Sequence, residues 1–487
     1  MYSINNSIVK YHDPAAHMLE MIVIKIYKYF VPTQSALLLA ADCIVLYFLI
    51  TITMKYSSLG SGVGLGNENG LTTEFFNSFT LSIVLVGTTA LSGLAVGLYR
   101  RDTGKAGRWG ASAAAAVGLA LTLGSVVLLT VRFFRASPPI SLAHWEIGLP
   151  AIWPVCFVVT RWISVAAARR GFFKRRILLL GDGRSAAEIE SFCSASAGQL
   201  EIAGRLGIDA FDEMDSAATA KFSAEGLRKT RIREVVTADE GSALPTTLLL
   251  QWKVNGIAVT DCLTFWEREA GRIALDAFDV NWFLRGEGCR RRRVSSLVKR
   301  ATDICAALLL LILTAPILAI FAALIPLETA GPIFYSQQRT GRYGKPFMLL
   351  KFRSMRTDAE AAIPQWAANK DPRVTRVGKF MRSTRIDELP QLLTVIRGDM
   401  SLIGPRPERP FFVDQLTRAI PHYSDRHYVR PGLTGWAQIN YPYGASIEDA
   451  REKLAYDLFY LKNQSTILDL YIMIATIRVI LLGEGAR

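Results

Sequence analysis

Cysteine is scarce in this 487-residue chain, and its six copies, at 43, 156, 193, 262, 289 and 305, show no C-x-x-C or metal-ligand spacing. Neither a disulfide framework nor a cysteine-built metal centre is indicated, and a reduced protein is the simplest account. Acidic residues are also in the minority, 42 against 56 lysines and arginines, which leaves a formal charge of +14. No nucleic-acid-binding module accompanies that basicity, so nucleic acid is not an expected partner, whereas anionic lipid head groups and phosphate-bearing ligands are. The N-terminus lacks a signal-peptide cleavage pattern: its apolar run starts late and continues at membrane length, as in a retained anchor.

Apolar residues are abundant. They make up 51% of the chain, with a mean hydropathy of +0.24, which is too apolar for an ordinary soluble protein. Segments 34–54, 76–99, 110–134 and 147–168 are each long enough to cross about 30 Å of hydrocarbon as a helix. Basic residues at 100, 101, 105 and 108 join the second to the third, and others at 169–176 follow the fourth. The glycine-rich loop 57–70 has no Lys or Arg, which places both ends of this four-helix transmembrane bundle in the cytoplasm. Arg132 and Arg135, near the outer end of the third span, run against that assignment.

Residues 175–285 alternate short β-rich runs with helical stretches. Arg176-Ile177-Leu178-Leu179-Leu180 followed by Gly181-Asp182-Gly183 and Arg184-Ser185-Ala186 predicts strand, glycine turn and helix, the opening of a doubly wound α/β module. A single G-x-G-x-x-A match is weak, and a dinucleotide site needs an acid ending the second strand, where 202–208 leads only to Asp209. A Rossmann-like domain with a structural or regulatory role is the reading favoured over a working dinucleotide site.

The last part opens on Arg290-Arg291-Arg292-Arg293 and carries 29 lysines and arginines against 17 acids, a net of +12. Its apolar run 304–327 is long enough for a fifth crossing, yet Pro316 falls at its midpoint and basic residues flank both ends, downstream as Arg339, Arg342 and Lys345. The expected topology enters the cytoplasmic leaflet, bends at Pro316 and returns, about twelve residues per arm at about 1.5 Å each. An ordinary kinked span is the alternative. Further on, Ile447, Ala450, Leu454, Leu458 and Leu461 keep helical spacing, and 467–482 predicts an interfacial helix bearing Asp469.

Thr384-Arg385-Ile386-Asp387-Glu388-Leu389-Pro390-Gln391 is the most informative stretch. Leu389, Leu392, Leu393 and Ile396 predict a helix starting near the acidic pair, with Asp387 as N-cap and Pro390 in the first turn. Free backbone donors and the positive dipole end would then favour a phosphate beside a carboxylate. Helix capping alone would explain an isolated D-E-L-P. Here, however, the pair is accompanied by Lys351-Phe352-Arg353-Ser354-Met355, Arg382, Gly404-Pro405-Arg406-Pro407 and 429–440, V-R-P-G-L-T-G-W-A-Q-I-N.

This set resembles the bacterial polyprenyl-phosphate phosphoglycosyl transferases, the single-topology superfamily that starts exopolysaccharide, capsule and O-antigen repeat units. The likeness covers roughly residues 295–487, and the larger members share the whole layout. The resemblance implies a multi-domain membrane protein: a transmembrane bundle (1–170), a Rossmann-like cytoplasmic domain (171–289), and an α-rich catalytic domain (290–487) with a re-entrant helix over 303–327 broken at Pro316. It implies a multi-pass protein of the bacterial inner membrane with its catalytic domain on the cytoplasmic face. The partners would be a nucleotide-diphosphate sugar, with UDP-glucose or UDP-galactose common in the superfamily, and undecaprenyl phosphate. A homodimer through the bundle or the middle domain is compatible with the layout.

By resemblance, Asp387 is the nucleophile, Glu388 the assisting carboxylate associated with Mg2+, and Lys351, Arg382 and Arg406 the cations that hold substrate phosphates. Their chemistry suits these roles. Arginine makes forked contacts with phosphoryl oxygens, an ionised carboxylate needs no base, and Mg2+ takes one or two acids beside phosphate oxygens. Asp457 is a further candidate site carboxylate, with a helix-surface acid as the equal alternative, and Asp399 is expected to organise the turn at 398–401. Arg385 stands where relatives often have a small or apolar residue, and its role is open. A transferase moving only the sugar is the first rival, although no two aspartates keep the D-x-D spacing that many such enzymes use. A catalytically inactive membrane sensor or scaffold is the second, opposed by the intact charged set. A transporter fits less well, because Asp42 is the main intramembrane charge.

Overall fold

The computed structural model describes residues 23–26, 29–32, 37–48, scattered positions within 86–93 and 159–166, and then 174–195, 200–207, 222–238, 246–278, 293–356, 372–442, 444 and 446–481. At the start, β1 (Val23–Ile26) pairs antiparallel with β2 (Tyr29–Pro32). Helix α1 (Leu37–Phe48) follows, inside the first expected span. The other three spans lie outside the described residues, apart from the scattered positions.

Strand β3 (Arg175–Leu180), the turn at Gly181, and α2 (Arg184–Ala195) form as the sequence predicts. They are followed by β4 (Leu200–Leu206), α3 (Ala224–Lys229), β5 (Ile232–Thr237), α4 (Thr246–Val254), β6 (Ala258–Asp261) and α5 (Cys262–Ala270). The four strands pair in parallel in the order β4-β3-β5-β6. Successive side chains of a strand point to opposite faces, so a sheet covered on both sides needs a continuous apolar run. Ile177 and Leu179 pack with Ile189, Phe265 and Trp266, while Leu178 and Leu180 pack with Leu227 and Trp252. Both faces are thereby covered, as in the doubly wound reading.

At the opposite end of the strands from the glycine turn sits an ionic cluster. Arg175 meets Glu269 at 2.6 Å and Glu234 at 3.1 Å, and Arg268 meets the same two acids at 2.7 and 2.6 Å. Helix α5 ends at Gly271, whose left-handed φ of +62° suits glycine. The chain beyond it leaves the sheet and packs against the last domain. Gly271 accepts a hydrogen bond from Trp436 Nε1 at 2.7 Å, Ile273 N–H donates to Ala455 at 3.1 Å, and Glu267 accepts from Lys462 at 2.9 Å and Asn463 at 2.6 Å.

Helix α6 (Arg293–Glu328) is long and apolar enough to cross a membrane, and its apolar stretch is almost entirely exposed. Helical residues run on through Pro316 and Pro326. Both ends are tied to the same domain. Near its start, Arg300 donates to the carbonyls of Val395 and Ile396 at 2.7 and 2.8 Å, and Asp303 accepts from Ser401 Oγ at 2.8 Å and Leu402 N–H at 3.2 Å. At its end, Ile325 packs with Phe352 and Met381, and Glu328 accepts from the N–H groups of Arg376 and Val377 at 2.6 and 2.9 Å.

The rest of the domain is helix-rich, with two small sheets. Strands β7 (Phe334–Thr340) and β8 (Pro346–Phe352) form an antiparallel hairpin, and β9 (Ser401–Ile403) pairs in parallel with β10 (Gly432–Thr434). Around them lie α7 (Arg376–Thr384), α8 (Gln391–Arg397), α9 (Pro410–Ala419), α10 (Trp436–Asn440), α11 (Ile447–Asn463) and α12 (Thr466–Leu481). The core joins Leu392, Val395 and Met400 to Leu454, Leu458, Leu468 and Ile472. Helix α8 buries Leu392 and Val395, whereas Leu393, expected on the buried stripe, is exposed.

Candidate functional site

The acidic pair does not begin a helix. Asp387 and Glu388 occupy a 3-10 turn, Ile386–Glu388, and the position preceding α8 is Pro390, with no side-chain cap. The expected N-cap role of Asp387 is therefore corrected. Local bonds consume the donors that were to face an anion: Glu388 N–H goes to Arg385, Leu389 to Ile386, Leu392 to Leu389 and Leu393 to Pro390. A short tight turn satisfies its own orphan groups in this way. The positive field at the site comes from side chains instead.

Three elements deliver those side chains to one carboxylate oxygen. Lys351 Nζ, from β8, lies 3.8 Å from Glu388 Oε1, Arg385 Nη1 lies at 3.6 Å, and Arg406 Nη2 donates a hydrogen bond at 2.6 Å. Arg382, from α7, donates to Ser354 Oγ at 3.1 Å and acts on Asp387 through its charge. Asp387 itself is buried, yet among the described residues nothing donates a hydrogen bond to its carboxylate and no cation lies within 4 Å. One carboxylate is clamped and its neighbour is open.

Their proton affinities separate accordingly. Burial would raise the Glu388 carboxyl, but the charges of Arg406, Lys351 and Arg385 outweigh it and hold the group well below the usual carboxylate range. Burial, reinforced by the negative charge of Glu388, pushes Asp387 up, against the pull of Lys351, Arg382 and Arg385. Burial also brings the Lys351 ammonium down to about 8, a shift that Glu388 opposes and Arg406 favours.

Arg406 is positioned by close backbone packing. A Cβ on Gly404 would overlap the carbonyl oxygen of Arg430, and one on Gly435 would overlap that of Gly404. Only glycine lets the G-P-R-P turn and the R-P-G-L-T-G segment interlock, with Gly404 N–H donating to Thr434 at 2.9 Å and Gly432 N–H to Pro405 at 2.9 Å. Behind that turn, the buried Arg426 bonds Asp457 Oδ2 at 2.7 Å and donates to the backbone carbonyl of Arg406 at 3.1 Å. The structure therefore places Asp457 in a buried ion pair, linked to Glu388 of the acidic pair through Arg426 and Arg406. Sequence reasoning missed Arg426, since an arginine in a polar stretch, Ser424-Asp425-Arg426-His427, carries no signal of burial. Asp399 is exposed, and Asp303 is the residue that orders the start of β9.

The bacterial sugar transferase profile matches residues 294–483, the segment that builds this site. A UDP-glucose:undecaprenyl-phosphate glucose-1-phosphate transferase of Caulobacter vibrioides is 42% identical over 205 residues, 42% of this chain and 77% of that protein. The chain belongs to the bacterial sugar transferase family. Another family relative, the UDP-N-acetylgalactosamine-undecaprenyl-phosphate N-acetylgalactosaminephosphotransferase of Aeromonas hydrophila, is 49% identical over 194 residues, 40% of this chain. The UDP-glucose:undecaprenyl-phosphate glucose-1-phosphate transferase of Escherichia coli is 41% identical over 186 residues, 38% of this chain. The matched stretches span 46% and 40% of those two proteins, so the likeness to them covers less than half of their lengths. The family resemblance read from the motifs is borne out over the domain that carries them.

Proposed function

We propose that this chain transfers a sugar-1-phosphate from a UDP-sugar to undecaprenyl phosphate through a phosphosugar carried on Asp387. The observation that carries the reading is the contrast within the acidic pair: Glu388 is clamped by cations, and Asp387 keeps its lone pairs open among them. In the first step a carboxylate oxygen of Asp387 attacks the phosphorus next to the sugar. A P–O bond forms, the P–O bond to the nucleoside monophosphate breaks, and that monophosphate leaves. In the second step an oxygen of the lipid phosphate attacks the same phosphorus, the acyl phosphate bond breaks and the carboxylate is regenerated. Lys351, Arg382 and Arg406 offset the charge that both reactants bring.

The donor set is compatible with Mg2+. All three cations lie within 4 Å of Oε1 of Glu388, and among the described residues none donates a hydrogen bond to Oε2, the oxygen that would hold the ion. The described residues contain no group of three or more candidate ligands, and Mg2+ does not require one, because it completes its shell with water and substrate phosphates. When bound there it would offset charge on the diphosphate oxygens.

Membrane anchoring follows from α6 and α12. Both ends of α6 are held by one domain while its middle is exposed, which supports a continuous helix bent near Pro316 that enters and leaves the same leaflet. Helix α12 exposes Ile467, Leu470, Ile477 and Ile480 and buries Leu468, Ile472 and Ala475, a pattern suited to the interface. A soluble nucleotide sugar and a lipid phosphate could then meet without either leaving its phase.

The test is trapping. Purified membranes are incubated without lipid acceptor with UDP-glucose, UDP-galactose and UDP-N-acetylgalactosamine, each radiolabelled in the sugar, and then denatured. Label retained by the wild type with release of UMP, and absent in Asp387→Asn, is the expected result. Label that persists in Asp387→Asn would reject the nucleophile, and release of UDP would indicate transfer of the sugar alone.

A further inference from the structure

Arg385 is a cation at the site to which the motifs give no role. It ends α7 with φ +61° and ψ +15°, a left-handed conformation that favours glycine and is unfavourable for a long side chain. Its guanidinium points back over the 3-10 turn to Glu388 at 3.6 Å, partly open to solvent. Glu388 does not need it, because Arg406 already bonds the same oxygen at 2.6 Å and Lys351 stands at 3.8 Å.

Lys351, Arg382, Arg385 and Arg406 gather four positive charges about the carboxylates of Asp387 and Glu388. Positive charge gathered at a partly buried site attracts an anion, and the diphosphate of a nucleotide sugar carries about two negative charges near neutral pH. We propose that Arg385 is a substrate-binding residue whose guanidinium contacts the diphosphate and sets the affinity for the nucleotide sugar. This rests on the function proposed above.

Its backbone conformation provides an unusually clean test. Arg385→Gly removes the side chain and relieves the left-handed strain, so stability and binding should move in opposite directions. Binding of radiolabelled UDP to the full-length protein in detergent is measured by equilibrium dialysis, beside the thermal midpoint of each variant. Arg385→Gly is expected to weaken UDP binding roughly ten-fold or more with an unchanged or higher midpoint, and Arg385→Lys to recover part of the affinity. Affinity within about two-fold of the wild type, or a midpoint that falls together with affinity, overturns the proposal and leaves a local structural role. The covalent reading is judged separately: Asp387→Asn should bind UDP normally while failing to acquire label. A wild type that binds UDP but takes no label sinks the covalent step and not Arg385, whereas a wild type that does not bind UDP overturns both.

Discussion

Two buried clusters in this chain use the same chemical groups and reach opposite results. At the base of the middle sheet, Arg175 and Arg268 face Glu234 and Glu269, two charges against two, every acid bonded twice and Glu234 further capped by Thr260 at 2.8 Å. At the acidic pair, four cations face two acids, and one acid has no bonded partner among the described residues. A cluster whose acids are each bonded twice by arginine has no open carboxylate and serves to orient elements, even with Arg175 Nε left without a hydrogen-bond partner. A carboxylate left without a bonded partner among cations keeps a field that an incoming phosphate could complete. The pattern of bonds, rather than burial or residue type, separates the two clusters.

Four substitutions or conditions test that distinction, taken here from the largest expected effect to the smallest. Asp387→Asn should lower phosphosugar labelling to background, at least about 10³-fold, while UMP release without label in that variant would erase the contrast. Arg406→Met should cut the labelling rate by about 10²-fold and lower the thermal midpoint less than it lowers labelling, because Lys351 and Arg385 still face Glu388. Glu234→Gln should do the reverse: removing one partner of a buried network costs about 3–5 kcal/mol, read as a lower thermal midpoint, with labelling per folded molecule unaltered. If Glu234→Gln lost labelling before stability, the middle cluster would be doing more than holding the sheet.

The smallest effect is one of pH. Burial brings Lys351 to about 8, so its charge is present below that pH and is lost above it. The labelling rate at limiting UDP-sugar should therefore decline above about pH 8, by at most about ten-fold per unit, and Lys351→Arg should remove the decline because guanidinium stays charged. A wild-type profile flat to pH 10 would remove Lys351 from the field.

Several features were legible in the sequence because they follow from local rules. The run 177–180 is apolar at every position, which only a sheet covered on both faces requires, and Ile177 to Leu180 are indeed buried in alternation on its two sides. Leu454 and Leu458 keep a four-residue spacing and lie together in the core on α11. The motifs also marked Lys351 and Arg406, which the fold brings within 4 Å of Glu388. Other features were hidden, for stated reasons. Asp387 looked like an N-cap since an acid before a proline usually is one, but the chain closed a 3-10 turn and used the donors itself. Asp457 left a site acid and a surface acid equally open, and its burial against Arg426 was hidden because that partner lies 31 residues away.

The sequence alone determined the order of the elements, the apolar character of α6 and the inventory of charged groups, since periodicity, composition and motif spacing are properties of neighbours along the chain. Only the tertiary structure decided which carboxylate is clamped and which is open, and that Arg385 joins the site. Those outcomes depend on distances between β8, α7 and the turn at Arg406, and ångström separations between segments far apart in sequence are set by packing rather than by any one of them.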